Sequence, residues 1–136
     1  MREEKHKEIL KEVTDEIESA LKDNRGLLPH QRRLAFSLSL GAINFLELYF
    51  HKLSIMKEGS KINHEWFKRK EERIFEYLQK QITSPINTIG NINRIVDTIR
   101  KIEEKRDDLA YGTIATEDIL QEKINLFFEL KGLVKC

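Results

Sequence analysis

One cysteine, two prolines and six glycines in 136 residues leave this chain few covalent or conformational devices with which to hold a shape. The cysteine, Cys136, excludes an intrachain disulfide and suits a reducing cytoplasm, where the chain is expected to reside. Charge of one sign is also missing. With 24 basic against 23 acidic residues the formal net charge is +1, so no global field draws the molecule to nucleic acid or to an anionic membrane. A phosphate contact would need a local basic cluster. The mixed-sign N-terminus lacks the apolar core of a signal peptide, and residues 1–7 are expected to fray. The longest apolar stretch, residues 35–50, contains Ser37, Ser39, Asn44 and Glu47, and it reads as a buried core helix too short for a comfortable membrane span. Zinc-type Cys/His clusters and glycine-rich phosphate loops are absent too, and no cofactor or metal is expected.

What the chain does have is helical periodicity. Apolar residues are 40% of the chain and charged residues 35%, a composition that supports a buried core under a heavily charged surface. Strand-like alternation is scarce. A first helix over about 3–23 places Ile9, Val13, Ile17, Ala20 and Leu21 on one stripe, and Asn24-Arg25-Gly26 ends it, the glycine suiting a left-handed C-terminal turn. Leu27 and Leu28 fold back as a lid, with Pro29 opening the next helix. That second helix, about 30–56, is apolar nearly all round and therefore central. A third, about 64–82, starts at the N-cap residue Asn63 and buries Phe67, Ile74, Phe75, Leu78 and Ile82. The fourth, about 86–111, has the cleanest stripe: Ile89, Ile92, Val96, Ile99, Ile102 and Leu109. Thr116 caps a fifth helix that buries Leu120, Ile124, Phe127 and Phe128. These elements predict one all-α domain over residues 1–136, an up-and-down bundle of four to five helices.

One residue breaks the pattern. Steps of seven from Ile92 reach Ile99 and then Arg106, which puts an arginine on the inward or partner-facing stripe. A guanidinium keeps its proton, so there it must meet carboxylates, carbonyls, a phosphate or another chain. A structural ion pair with Glu103, Asp107 or a neighbouring helix is one reading of Arg106, and a phosphate or partner contact is the other. Tyr111 reads as a packed residue whose hydroxyl reaches a backbone carbonyl. His51 is expected to cap an apolar face, and the basic runs Arg32-Arg33 and Lys68-Arg69-Lys70 to be solvated surfaces.

The charged first helix, the apolar segment Ala42-Ile43-Asn44-Phe45-Leu46-Glu47-Leu48-Tyr49 and the later segment Ile102-Glu103-Glu104-Lys105-Arg106-Asp107-Asp108-Leu109-Ala110-Tyr111-Gly112 together resemble a HEPN domain over about residues 30–133. That family comprises small helical bundles, commonly dimeric. Some pair with minimal nucleotidyltransferases in toxin–antitoxin systems, and others are metal-independent RNases. Its signature is an arginine followed by a polar residue and, four to six residues on, a histidine. Arg106 and Asp107 match the first part, whereas Tyr111 stands where the histidine belongs and no histidine lies beyond His64. A phenol with a reference pKa of about 10 is a poor general base near neutrality.

The resemblance therefore implies a non-catalytic member that is homodimeric and binds a partner protein, a nucleotide or RNA through Arg106, Asp107 and Tyr111. The alternatives are an active metal-independent RNase using Arg106, with Tyr111 as the weaker catalytic candidate, and a helical interaction scaffold without a ligand. Two metalloenzyme readings fail on spacing. A magnesium pyrophosphatase needs a third acid where Phe75 stands, and a di-iron bundle needs a second Glu-x-x-His beside Glu3-x-x-His6.

Overall fold

Helical periodicity yields helices throughout. The computed structural model describes residues 3–134, and they form an all-α bundle; Met1, Arg2, Lys135 and Cys136 lie outside the described residues. Helix α1 spans Glu3–Lys22 and buries His6, Leu10, Val13, Ile17 and Ala20 at steps of three and four. The first turns of α1, expected to fray, are helical from Glu3, because His6 is fully buried and its Nδ1–H donates to Asn44 Oδ1 at 2.7 Å. Leu21, placed on the stripe by periodicity, is 46% exposed instead.

Gly26 ends the turn after α1 at φ +88°, the left-handed region that side chains disfavour. The position is restricted a second way: the Glu117 carboxylate accepts the Leu27 N–H at 2.7 Å and occupies the space a Cβ on Gly26 would need. Pro29 lies in the short 3₁₀ turn Leu28–His30 that leads into α2, Gln31–Lys52. Leu27 is buried as a lid should be, whereas Leu28 is 36% exposed.

Helix α2 is central, as an all-round apolar helix must be, and packs against α1 and the later helices. Its Gly41 allows this closeness, since a Cβ there would come within 2.5 Å of the buried Phe127 ring and 3.0 Å of Val13. Leu28–Lys52 is long and apolar enough to cross a membrane by length and composition, more so than residues 35–50 suggested. In the fold, 72% of its apolar window is buried against other helices.

Two expected helices are interrupted. In place of one helix over 64–82 there is a 3₁₀ segment, His64–Lys68, then α3, Glu71–Gln79. Arg69 and Lys70 between them are extended, which lets Phe67 pack towards the later helix while Ile74 and Leu78 enter the core separately. Phe75 is only partly buried. Asn63 does cap the segment, accepting the Glu65 N–H at 2.9 Å.

The expected helix over 86–111 is likewise a 3₁₀ turn, Ile86–Thr88, then α4, Ile92–Glu103, and α5, Arg106–Tyr111. Glu104 is extended and Lys105 is left-handed at φ 62°. Helix α6, Glu117–Leu133, starts at Thr116, whose hydroxyl accepts the Ile119 N–H, and buries Leu120, Ile124, Phe127 and Leu130. Phe128, expected inside, is 41% exposed, because Phe127 takes the inward position beside Phe45 at 5.0 Å between ring centroids.

The α4–α5 break leaves carbonyls of the last α4 turn without helical partners, and α6 supplies one. Lys123, 9% exposed, donates from Nζ to Lys101 O at 2.5 Å and to Glu104 O at 2.9 Å. Burial pushes its ammonium below the usual lysine range. An orphaned buried carbonyl costs about 1–3 kcal/mol, so Lys123→Met, similar in length but without a donor, is expected to destabilise the fold by about 2 kcal/mol. Urea unfolding measures this, and an unchanged midpoint would show that the cap is dispensable.

Candidate functional site

Helix α5 begins at the residue that matters most. The broken helix removes the premise that Ile92, Ile99 and Arg106 share one stripe, yet Arg106 still turns inward. Its side chain is 15% exposed, and the guanidinium carbon lies 5.1 Å from the centre of the Phe36 ring on α2, a cation–π contact. Nη1 donates to Asp107 Oδ1 at 2.9 Å, while Nε is buried and meets no hydrogen-bond acceptor among the described residues. Of the carboxylates considered as ion-pair partners for Arg106, Asp107 pairs with it, and no salt bridge to Glu103 is found among the described residues.

Asp107 does not belong to Arg106 alone. It is exposed, and Lys68 Nζ donates to its Oδ2 at 2.8 Å; that bond to Lys68, more than the arginine, holds the Asp107 carboxyl below the usual range. Lys68, expected to be plainly solvated, is therefore tied across to α5. Arg32 is tied as well, donating from Nε to Ala110 O at 3.0 Å at the end of α5, and Arg33 pairs with Glu16.

Tyr111 is not brought to the same place. It is 73% exposed, in contrast to the packed residue expected, because α5 ends at Gly112 and leaves the ring at the rim, edge-on to Phe36 with centroids 5.7 Å apart. Arg106 and Tyr111 touch the same phenylalanine, and Tyr111 is not among the residues lining the two clefts beside Arg106. His51 is partly buried, 5.2 Å from the buried His6 ring, and burial holds its imidazole below the usual histidine range.

The structure adds two site residues that the sequence did not mark, His64 and Ser39, and gives Glu103, considered only as an ion-pair partner of Arg106, to them instead. His64, at the start of the 3₁₀ segment, donates from Nδ1 to Glu103 Oε2 at 3.3 Å, and Ser39 of α2 donates its hydroxyl to Glu103 Oε1. Glu103 is 2% exposed; burial pushes its carboxyl above the ordinary value, and the Ser39, His64 and Arg106 groups only partly offset this. A buried acid at the end of α4, one residue before the break, was a usable signal. His64 carried none, since 39 residues separate it from Glu103.

Arg106 stands between two clefts. One, about 570 Å³, is lined by Lys68, Arg100, Lys101 and Lys105 together with Asp97, Glu103, Glu104, Asp107 and Asp108, so its charges nearly balance. The other, about 510 Å³, is lined by Phe36, Leu40, Ile43 and Ile62, with Ser39, Asn63, His64, Lys61 and Arg106, and among the described residues by no carboxylate. Arg106 and His64 in the second are hydrogen-bonded to Asp107 and Glu103, which line the first. Among the described residues no group of three or more His, Cys, Asp or Glu side chains is arranged to hold a metal ion. Compared with protein-family models, with curated proteins and with solved structures, the chain matches none.

Glu103 provides a direct check on these electrostatics. Its folded-state value lies above its ordinary one of 4.5, so the native state binds that proton more tightly than the unfolded chain. The stability it contributes is present below 4.5 and is lost as pH rises through the raised folded value. Carbon-13 titration of the side-chain carboxyls is expected to give a Glu103 midpoint above 4.5, and Glu103→Gln to gain stability relative to the native chain as pH rises above 4.5. A midpoint at or below 4.5 would mean that the Ser39 and His64 hydrogen bonds outweigh burial.

Proposed function

We propose that this chain is a HEPN-like bundle that binds a phosphate-bearing ligand or RNA through Arg106 and is not a robust catalyst. The observation that carries the reading is the guanidinium itself: set against Phe36, lining on one side a cleft with no carboxylate among its described lining residues, and sharing its carboxylate partner Asp107 with Lys68. A guanidinium so held presents a planar fork suited to phosphate oxygens. Tyr111, exposed and outside that cleft, supplies no general base.

Fluorescence anisotropy with a labelled single-stranded RNA, at 50 and 200 mM salt, tests this. Arg106→Ala is expected to weaken binding about tenfold or more and to flatten the salt dependence, as loss of a charged phosphate contact does. Equal affinity for native chain and variant would remove Arg106 from the reading, and no binding by either would leave a helical interaction scaffold without a ligand.

One observation favours a second reading, an active metal-independent RNase. His64 lines the same cleft as Arg106 and is oriented by Glu103, which is how a general base is commonly held. Cleavage of the RNA by the native chain, lost in both Arg106→Ala and His64→Ala, would replace binding by catalysis.

The partner reading is a homodimer, supported by apolar side chains left at the surface around α5: Leu28 at 36%, Tyr111 at 73% and Ile114 at 82% exposure. Light scattering is expected to give the mass of two chains, and Ile114→Lys to shift it towards one; a monomer at all concentrations would end this part. Cytoplasmic residence and a nucleotidyltransferase partner in a toxin–antitoxin pair belong to the same proposal. They rest on the family resemblance, and a nucleotidyltransferase gene beside this one would support the pairing.

A further inference from the structure

The segment leading from α2 towards α3 is tied to the bundle by side chains rather than by its backbone. Over residues 62–69 the backbone–backbone hydrogen bonds, Trp66 N–H to Asn63 O and Arg69 N–H to Trp66 O, stay within the segment among the described residues. Carboxylates from three helices hold it instead. Glu47 of α2 accepts the Ile62 N–H at 2.8 Å, Glu103 of α4 meets His64 Nδ1 at 3.3 Å, and Asp107 of α5 accepts from Lys68 Nζ at 2.8 Å. The buried side chains of Ile62 and Phe67 complete the attachment. Held this way, the segment borders Arg106 on both sides: Ile62, Asn63 and His64 line the α2-side cleft, and Phe67 and Lys68 line the α4-side one.

The three ties respond differently to protons. Asp107, held below its usual range by Lys68, keeps its tie in full above pH 3.8. Glu47 faces the buried His6 at 3.6 Å, with His51 beyond it. Glu103 is the weak point. Its carboxyl is 2% exposed, and the cations that face it are committed elsewhere: Arg106 to Asp107, and Lys123 of α6 to the carbonyls of Lys101 and Glu104. Once ionised, it has the Ser39 hydroxyl and a part-exposed imidazole, itself beside Glu65, to offset its burial. Burial outweighs them, which is why the carboxyl lies above its ordinary value. Water relieves that charge most readily from the side of the segment, since Ser39 and Glu103 sit on continuous helices.

We propose that residues 62–68 form a strap beside Arg106 that is closed while Glu103 is neutral and lifts from α4 when Glu103 ionises. The sign follows from burial. A closed strap binds the Glu103 proton more tightly than an open, hydrated one, so closure is firm below pH 4.5 and is lost as pH rises through the raised value. Because the strap lines both clefts, its lifting widens both and uncovers Arg106. The strap works in the same way whatever ligand Arg106 meets.

Hydrogen exchange resolved by mass spectrometry tests this, with the amides of residues 62–69 corrected for intrinsic rates and the α6 amides as a control for global unfolding. From pH 4.5 to 8 the native chain is expected to increase strap opening about fivefold or more, the scale of one net hydrogen bond, while α6 stays protected. Glu103→Gln, nearly the same shape but without the charge, should keep the strap closed across that range. Phenylglyoxal labelling reads the consequence: modification of Arg106 relative to the exposed Arg73 should rise with pH in the native chain and not in Glu103→Gln. Flat exchange in the native chain would overturn the strap. An equal rise in Glu103→Gln would overturn Glu103 as its trigger and pass that role to His64 or to the His6–Glu47 contact. Opening without any change at Arg106 would overturn the link between strap and site.

Discussion

The interaction on which the site depends is the Lys123 ammonium of α6 lying across the end of α4. Without it, the step from Glu103 to Arg106 carries several unfavourable terms: the helical hydrogen bonds lost at the break, a left-handed Lys105 that costs about 1–2 kcal/mol, and carbonyls turned inward. Burying the lysine is itself costly, which is why its ammonium is pushed down in pKa. Two hydrogen bonds from a charged donor, each contributing about 1.5–3 kcal/mol, outweigh a strained residue. The chain can therefore stop α4 and restart α5 without a glycine or proline, and Arg106 becomes the first residue of a new helix.

That restart is held from its other end as well. Gln31, at the start of α2, donates from Nε2 to Leu109 O and Thr113 O, and its Oε1 accepts the Ala115 N–H. Arg32 adds its bond to Ala110 O. Two consecutive residues of α2 thus tie down the end of α5 and the turn that follows, while Lys123 fixes its beginning. The same six-residue helix is pinned on both sides, so the Arg106 guanidinium keeps its place over Phe36.

Around it the charges are partitioned. Acids gather in the cleft on the α4 side, where lysines and Arg100 match them, and the cleft on the α2 side has cations and apolar walls. Glu103 lies at the junction. Burial raises its pKa, and its hydrogen bonds go to Ser39 and His64.

Most of the fold was legible in the residues. The stripes of α1, α4 and α6, the central α2, the caps at Asn63 and Thr116 and the left-handed Gly26 all follow from local rules, because helix periodicity and capping act over at most a few residues. Arg106 was also singled out correctly as a partly buried cation, although through a continuous helix that does not exist. The break at 104–105 left no local mark, since its cause sits on α6. Nor did spacing along the chain show that His64, Ser39 and Glu103 meet, or that Tyr111, five residues from Arg106, would end outside the cleft. The sequence by itself determined which residues form helices and which faces they bury, because those depend on near neighbours. Only the tertiary structure decided where α4 ends and which groups surround Arg106, because those depend on a lysine 19 and 22 residues from the carbonyls it caps and on side chains from three separate segments.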